Sequence, residues 1–126
     1  MLVRISIDGI PSIEGQIAET GTKTFSAFKD ALPIGGTISR WGDEIYFYVD
    51  FMAPLEIGAR ARMDIGEIAY WPNGPALAIF FGPTPASEGK EPMAASECNV
   101  IGRVSADPET LRKAKNGSII RIDVKI

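Results

Sequence analysis

The sequence predicts a mainly β fold, a closed or nearly closed barrel of about eight short strands with two short helices at its ends. Three observations carry that expectation. Apolar and polar residues alternate in short runs, the pattern of half-buried strands. Gly, Pro, Asn and Asp punctuate those runs at short intervals, as turns require. Both ends of the chain are themselves strand-like, and closure is how an all-β domain of this size avoids exposed edges. A two-sheet sandwich is the alternative.

In chain order, Val3, Ile5 and Ile7 share one face of a first strand. Asp8-Gly9 and Pro11 make a turn, and Ile13 and Ile17 continue a second strand, so the two form a hairpin. Phe25, Phe28 and Leu32 then recur at helical spacing over Thr22–Leu32. A Thr at either 22 or 24 can cap this helix and Pro33 ends it; it should bury both Phe rings and plug a barrel end. Thr37–Arg40 is weakly strand-like. The run Glu44–Asp50 alternates cleanly, with Ile45, Phe47 and Val49 facing inward and Tyr46 and Tyr48 outward. Residues 51–65 read as a connection.

The stretch Gly66–Pro85 is expected to be the central hairpin, with strands Glu67–Trp71 and Ala76–Phe81 joined by a Pro-Asn-Gly-Pro turn. On the first strand Glu67, Ala69 and Trp71 share a face opposite Ile68 and Tyr70; on the second, Leu77, Ile79 and Phe81 lie opposite Ala78 and Phe80. Residues 86–97 combine small, polar and charged types with Gly89 and Pro92 and read as a long surface loop. A strand over Asn99–Ser105 follows, then a short helix with Asp107 as its cap and Pro108 in its first turn, stopped at Asn116-Gly117. The last strand alternates Ile120, Ile122, Val124 and Ile126 with Arg121, Asp123 and Lys125. Ile5, Phe47, Ile68, Tyr70, Phe80, Val104 and Ile122 are the residues expected to point into the barrel.

At 126 residues the chain is expected to form one domain, 1–126, with the apolar (45%) and charged (23%) fractions of an ordinary globular protein. No run approaches the roughly 18 apolar residues of a membrane span, and the N-terminus reads as a strand rather than a signal peptide, so the expected location is cytoplasmic. The lone Cys98 agrees with a reducing compartment and reads as a small buried apolar residue. A net charge of −3 supplies no field to gather nucleic acid or anionic membrane, and neither is an expected partner. The basic residues Arg112, Lys113 and Lys115 cluster where they complement a helix C-terminus. The absence of histidine excludes Ser-His-Asp and Cys-His catalysis and His-liganded zinc or haem. No phosphate-binding loop, dinucleotide fingerprint or EF-hand is present, so no cofactor is expected. Glu88, Glu91 and Glu97 read as carboxylates of a solvated loop, and no metal site is expected.

Gly66-Glu67-Ile68-Ala69, then Phe80-Phe81, then Val100-Ile101-Gly102-Arg103-Val104 resemble the G-x-L-S, Q-F-F and V-F-G-x-V segments of cyclophilins, in order and with comparable spacing. Over nearly the whole chain, the strings RWGDEIYF, GEIAYWP, IFFGPTP and NVIGRV resemble a small prokaryotic family of atypical cyclophilin-like proteins of unknown function. The resemblance implies a closed eight-stranded barrel capped by helices. It also implies a peptidyl-prolyl site on the outer barrel face, where an arginine polarises the prolyl amide and the Phe of Q-F-F forms the proline pocket. Phe81 matches that Phe, while Ile79 stands in place of the Gln and Cys98 in place of the His that precedes V-V-F-G. Arg40, after the first helix, is the one candidate for the catalytic arginine, although alternation with Ile38 turns it inward.

By alternation Trp71, Ile79 and Phe81 are expected on the outer face, beside Tyr46 and Tyr48, with Asn73 of the turn at the rim. That aromatic groove could hold a peptide or a small molecule. Three functions follow: a binding module using the groove, which is the expected one; a prolyl isomerase with a rebuilt site, of weak or absent activity; and a structural subunit whose aromatic face joins a homo-oligomer.

Overall fold

The computed structural model describes residues 1–126, in ten strands and two helices. In chain order these are β1 (Leu2–Ile7), β2 (Ile13–Ile17), α1 (Lys23–Ala31), β3 (Ile34–Thr37), β4 (Ser39–Arg40) and β5 (Glu44–Tyr48). There follow β6 (Arg60–Arg62), β7 (Glu67–Trp71), β8 (Ala76–Phe80), β9 (Met93–Val104), α2 (Pro108–Arg112) and β10 (Ile119–Val124). Every strand pair is antiparallel. No helix is long and apolar enough to cross a membrane.

The hydrogen-bonded order is β3-β10-β1-β2-β9-β7-β8-β5-β4, with β6 attached to β9. This corrects the expected closed eight-stranded barrel: the sheet has ten strands and its path is open. The reason lies at Ile38, the single residue between β3 and β4, the two ends of that path. One continuous stretch, 34–40, gives its first half to β10 and its second half to β5, and no ladder can join the halves of a single strand. The sheet nevertheless curls. Ile120 and Ile122 of β10 share one buried cluster with Ile45 and Phe47 of β5, although the two strands lie near opposite ends of the path.

That enclosed face is the core. Val3, Ile5 and Ile7 of β1, Ile68 and Tyr70 of β7, and Phe28 of α1 all belong to it. Thr22 caps α1, its Oγ1 accepting from the Phe25 N–H at 3.1 Å. Phe28 is fully buried against the edge of Phe51, whereas Phe25 is only half-buried, so the helix commits one ring to the interior rather than two. Phe51 stacks on Tyr70 at 5.2 Å, and the Tyr70 hydroxyl donates to Phe51 O and accepts from the Ala53 N–H. Residues 51–56 are thus a pinned strap, and the expected connection 51–65 is not strand-free, because it also holds β6, paired to β9. Glu56 accepts from the Thr24 N–H and Oγ1, and Asn99 donates to Thr24 Oγ1 and Pro54 O while accepting from the Glu56 N–H.

Two of the seven residues expected inside are not there. Phe80 is fully buried but on the outer face, in a second cluster with Met63, Ala69, Ala78, Ala94 and Cys98. Every residue of β8 is apolar and buried, so alternation sets its two faces but not which one meets the core. Register settles it: Ile79 pairs with both Ile45 and Ile68, core residues on either side. Val104, at the end of β9, is half-buried and packs on the core's margin. The expected 86–97 loop is also shorter than supposed, because β9 begins at Met93 and carries the outer cluster's Ala94 and Cys98.

Candidate ligand-binding groove

The outer faces of β5, β8 and β7 are built in rows. Tyr48 pairs with Ala76 and Ala76 with Trp71; Tyr46 pairs with Ala78 and Ala78 with Ala69. Ala76 lies between Tyr48 and Trp71, and Ala78 and Ala69 lie side by side next to Tyr46, so the large aromatic side chains stand as walls over a low alanine floor. The result is a cavity of about 290 Å³ lined by Trp41, Glu44, Tyr46, Tyr48, Trp71, Phe80 and the small residues Ala76, Ala78, Ala94, Ala95 and Cys98. Tyr46 and Tyr48 meet edge to face at 5.9 Å. The Trp71 Nε1–H donates to Ser96 Oγ at 2.6 Å, which holds the indole in the opposite wall.

One end of the groove is set by the turn Trp41-Gly42-Asp43. Gly42 has φ +62°, and a Cβ there would lie 2.9 Å from both Pro83 O and Thr84 Cα; at Gly82 a Cβ would collide with the Asp43 carboxylate. The turn is thereby pressed against residues 82–84, fastened by the Asp43 N–H to Pro83 O and the Phe81 N–H to Asp43 O. This delivers Trp41 and Glu44 to the groove. Glu44 is only 8% exposed, and its Oε1 has no hydrogen-bond partner. Burial pushes its carboxyl up from the ordinary value to about 7. Cys98 is pushed up to about 12, by burial first and by the charge of Glu44 second, and is an inert thiol.

Of the residues expected from sequence, Tyr46, Tyr48 and Trp71 line the cavity. Ile79 and Phe81 do not: both are fully buried in the core, turned there by the register that brings Phe80 outside. Asn73 is exposed on the turn and reaches Ser96 Oγ at 3.3 Å, buttressing the Trp71 wall from behind. Arg40 is likewise outside the groove. Its guanidinium lies 5.2 Å from the centroid of the Phe81 ring, donates to Gly42 O, Arg112 O and Ala114 O, and pairs with Asp43 at 3.3 Å. Those bonds clamp the end of α2 to the 41–43 turn, a structural task that occupies its donors. Sequence reasoning missed Trp41, Glu44 and Phe80. Alternation alone places Glu44 in file with Tyr46 and Tyr48; its burial depends on residues remote in sequence.

A second outer-face carboxylate, Glu67, is 3% exposed, but it is fully engaged. Arg60 grips it with two bonds of 2.9 and 2.7 Å, and the Asp64 N–H adds a third at 2.6 Å. Burial pushes its carboxyl up, yet these bonds and the charges of Arg60 and Arg103 outweigh that and hold it below the usual value. A further cavity, of about 300 Å³, is lined by Thr24, Glu56 and Asn99, whose side chains satisfy one another.

Two comparisons with known proteins bear on this geometry. Residues 1–123 match the model of the family described as Cyclophilin-like. The fold is similar to the solution structure of the hypothetical protein AF2241 from Archaeoglobus fulgidus, with 34% identity, a TM-score of 0.80, and coverage of 99% of this chain and 95% of that one. No curated protein matches the chain. With the family match spanning nearly every residue and the strand arrangement shared at that identity, the chain belongs to the cyclophilin-like family.

Proposed function

We propose that the protein is a binding module that holds a small molecule or a short peptide segment in the outer-face groove. The carrying observation is the cavity of about 290 Å³, lined by ten hydrophobic residues and one carboxyl. Sites for small ligands are concave, mostly apolar and marked by a few placed polar groups, and this one lies at the small end of their size range. The alanines of β8 and β9 keep it open, and the Trp71–Ser96 bond keeps one wall in place before any ligand arrives.

The isomerase alternative needs a fixed donor near the prolyl nitrogen. Arg40 has spent its donors on backbone carbonyls elsewhere, so isomerase activity on proline peptides is expected to be weak or absent. The buried thiol and the net charge of −3 fit a cytoplasmic protein without nucleic-acid or membrane partners.

Chemical-shift mapping with a panel of aromatic and prolyl fragments tests the binding reading. Shifts confined to Trp41, Tyr46, Tyr48 and Trp71 support it, and Trp71→Ala should then weaken binding by about 1 to 3 kcal/mol. Self-association through the same residues, measured by sedimentation, would replace it with the homo-oligomer reading.

A further inference from the structure

We propose that the occupant of the groove is a small organic cation, an ammonium carried on a slender apolar body and seated with its charge against Glu44. This rests on the binding reading above and names the chemistry of its ligand. Glu44 is the only charged residue lining the cavity, and its Oε1 is buried without a partner. A buried polar atom left unsatisfied is costly, and it is tolerated where something else completes it. The rest of the lining favours the same sign of charge. Trp41, Tyr46, Tyr48, Trp71 and Phe80 surround the space, and aromatic faces attract cations. An anion would find no welcome, because the Trp71 N–H is already given to Ser96 and the carboxyl would repel it.

Shape narrows the ligand. Glu44 and Tyr48 are four residues apart on one strand, a span of about 13 Å, so the charged end and the Tyr48–Trp71 end of the groove are well separated. Ala76, Ala78, Ala94 and Ala95 present methyl groups only, leaving a smooth channel for an alkyl chain or a single ring. A volume of about 290 Å³ suits a molecule of this kind rather than a long peptide. The raised carboxyl of Glu44 agrees with a site waiting for a cation, since an arriving ammonium would stabilise the ionised form.

The chain contains two tryptophans, and both line the groove, so intrinsic fluorescence reports its occupancy directly. Three probes of equal length, 4-phenylbutylamine, 4-phenylbutan-1-ol and 4-phenylbutyrate, are titrated at pH 8 with calorimetry alongside. The amine is expected to bind at least about tenfold more tightly than the alcohol, as a charge-assisted hydrogen bond in a dry site implies, with the carboxylate weakest. Glu44→Gln should abolish the preference for the amine, bringing amine and alcohol to within about twofold of each other on the variant. Amine and alcohol binding the unmodified chain equally, or a preference that survives Glu44→Gln, would overturn the cation proposal while leaving the groove a binding site. Silence of both tryptophans toward all three probes at millimolar concentration would overturn both readings. The comparison of probes on the unmodified chain needs no variant to fold.

Discussion

Glu44 and Glu67 open two strands that flank β8 from either side, and their local sequences are nearly alike: Glu-Ile-Tyr-Phe-Tyr on β5 and Glu-Ile-Ala-Tyr-Trp on β7. Both carboxylates lie on the outer face and both are buried. Their fates are opposite. Around Glu67, the short β6 paired to β9 brings in Arg60, and the turn at Asp64 adds a backbone donor, so the carboxylate is satisfied on several sides. Around Glu44, Trp41, Phe80 and Cys98 bring bulk without donors to Oε1. The first arrangement is a structural rivet. The second keeps chemical capacity unspent at the head of a groove, where a ligand can use it.

The contrast can be broken most severely from the Glu67 side. Arg60→Met should leave a buried, unpaired carboxylate and cost about 3 kcal/mol in a denaturant titration, the lower end for a broken buried pair because Arg60 is 41% exposed and water can replace part of it. The double variant Arg60→Met/Glu67→Gln should recover much of that loss. A loss below about 0.5 kcal/mol would mean that Glu67 is no better held than Glu44.

The Glu44 side should respond with the opposite sign. A carboxyl whose folded pKa is raised from 4.5 to about 7 contributes stability that is full below its unfolded value and lost as pH rises through 7. Glu67, held low, contributes above its unfolded value and loses that contribution on acidification. Glu44→Gln should therefore gain on the parent chain as pH rises from 4 to 8, by about 3 kcal/mol in total if the full shift is expressed. A stability difference that does not change with pH would mean that Glu44 already has a partner in solution.

Smaller effects sharpen the picture of the groove itself. Ser96→Ala removes the acceptor that holds the Trp71 indole and should cost about 1 kcal/mol, together with a change in Trp fluorescence at unchanged secondary structure. Cys98, buried and with its thiol pushed up to about 12, should react with a disulfide reagent at pH 8 only as fast as the chain unfolds. Rapid labelling of the folded protein would mean that the floor of the groove opens on its own.

Much of this architecture is legible in the residues. The first hairpin, a threonine cap at the start of α1, the inward Ile45 and Phe47 and the outward Tyr46 and Tyr48 all follow from local periodicity and turn chemistry, while the structure chose Thr22 over Thr24 as the cap. Where the faces do not differ, periodicity is mute. β8 reads Ala-Leu-Ala-Ile-Phe, apolar on both sides, and the expectation that put Ile79 and Phe81 in the groove chose the wrong one of two equivalent phases. Only the ladders to β5 and β7 break that tie, by aligning Ile79 with Ile45 and Ile68.

The sequence by itself determined the β class, the starts of both helices and the aromatic stripe on β5, while the second helix ends at Arg112, short of the stop expected at Asn116-Gly117. Tertiary structure alone decided that the sheet curls with its path left open, because one stretch serves both of its ends across Ile38. It alone decided, too, which glutamate is riveted and which is left open. Solvation and pairing depend on what arrives from elsewhere in the chain, Arg60 in one case and Trp41, Phe80 and Cys98 in the other, and no local pattern carries that information.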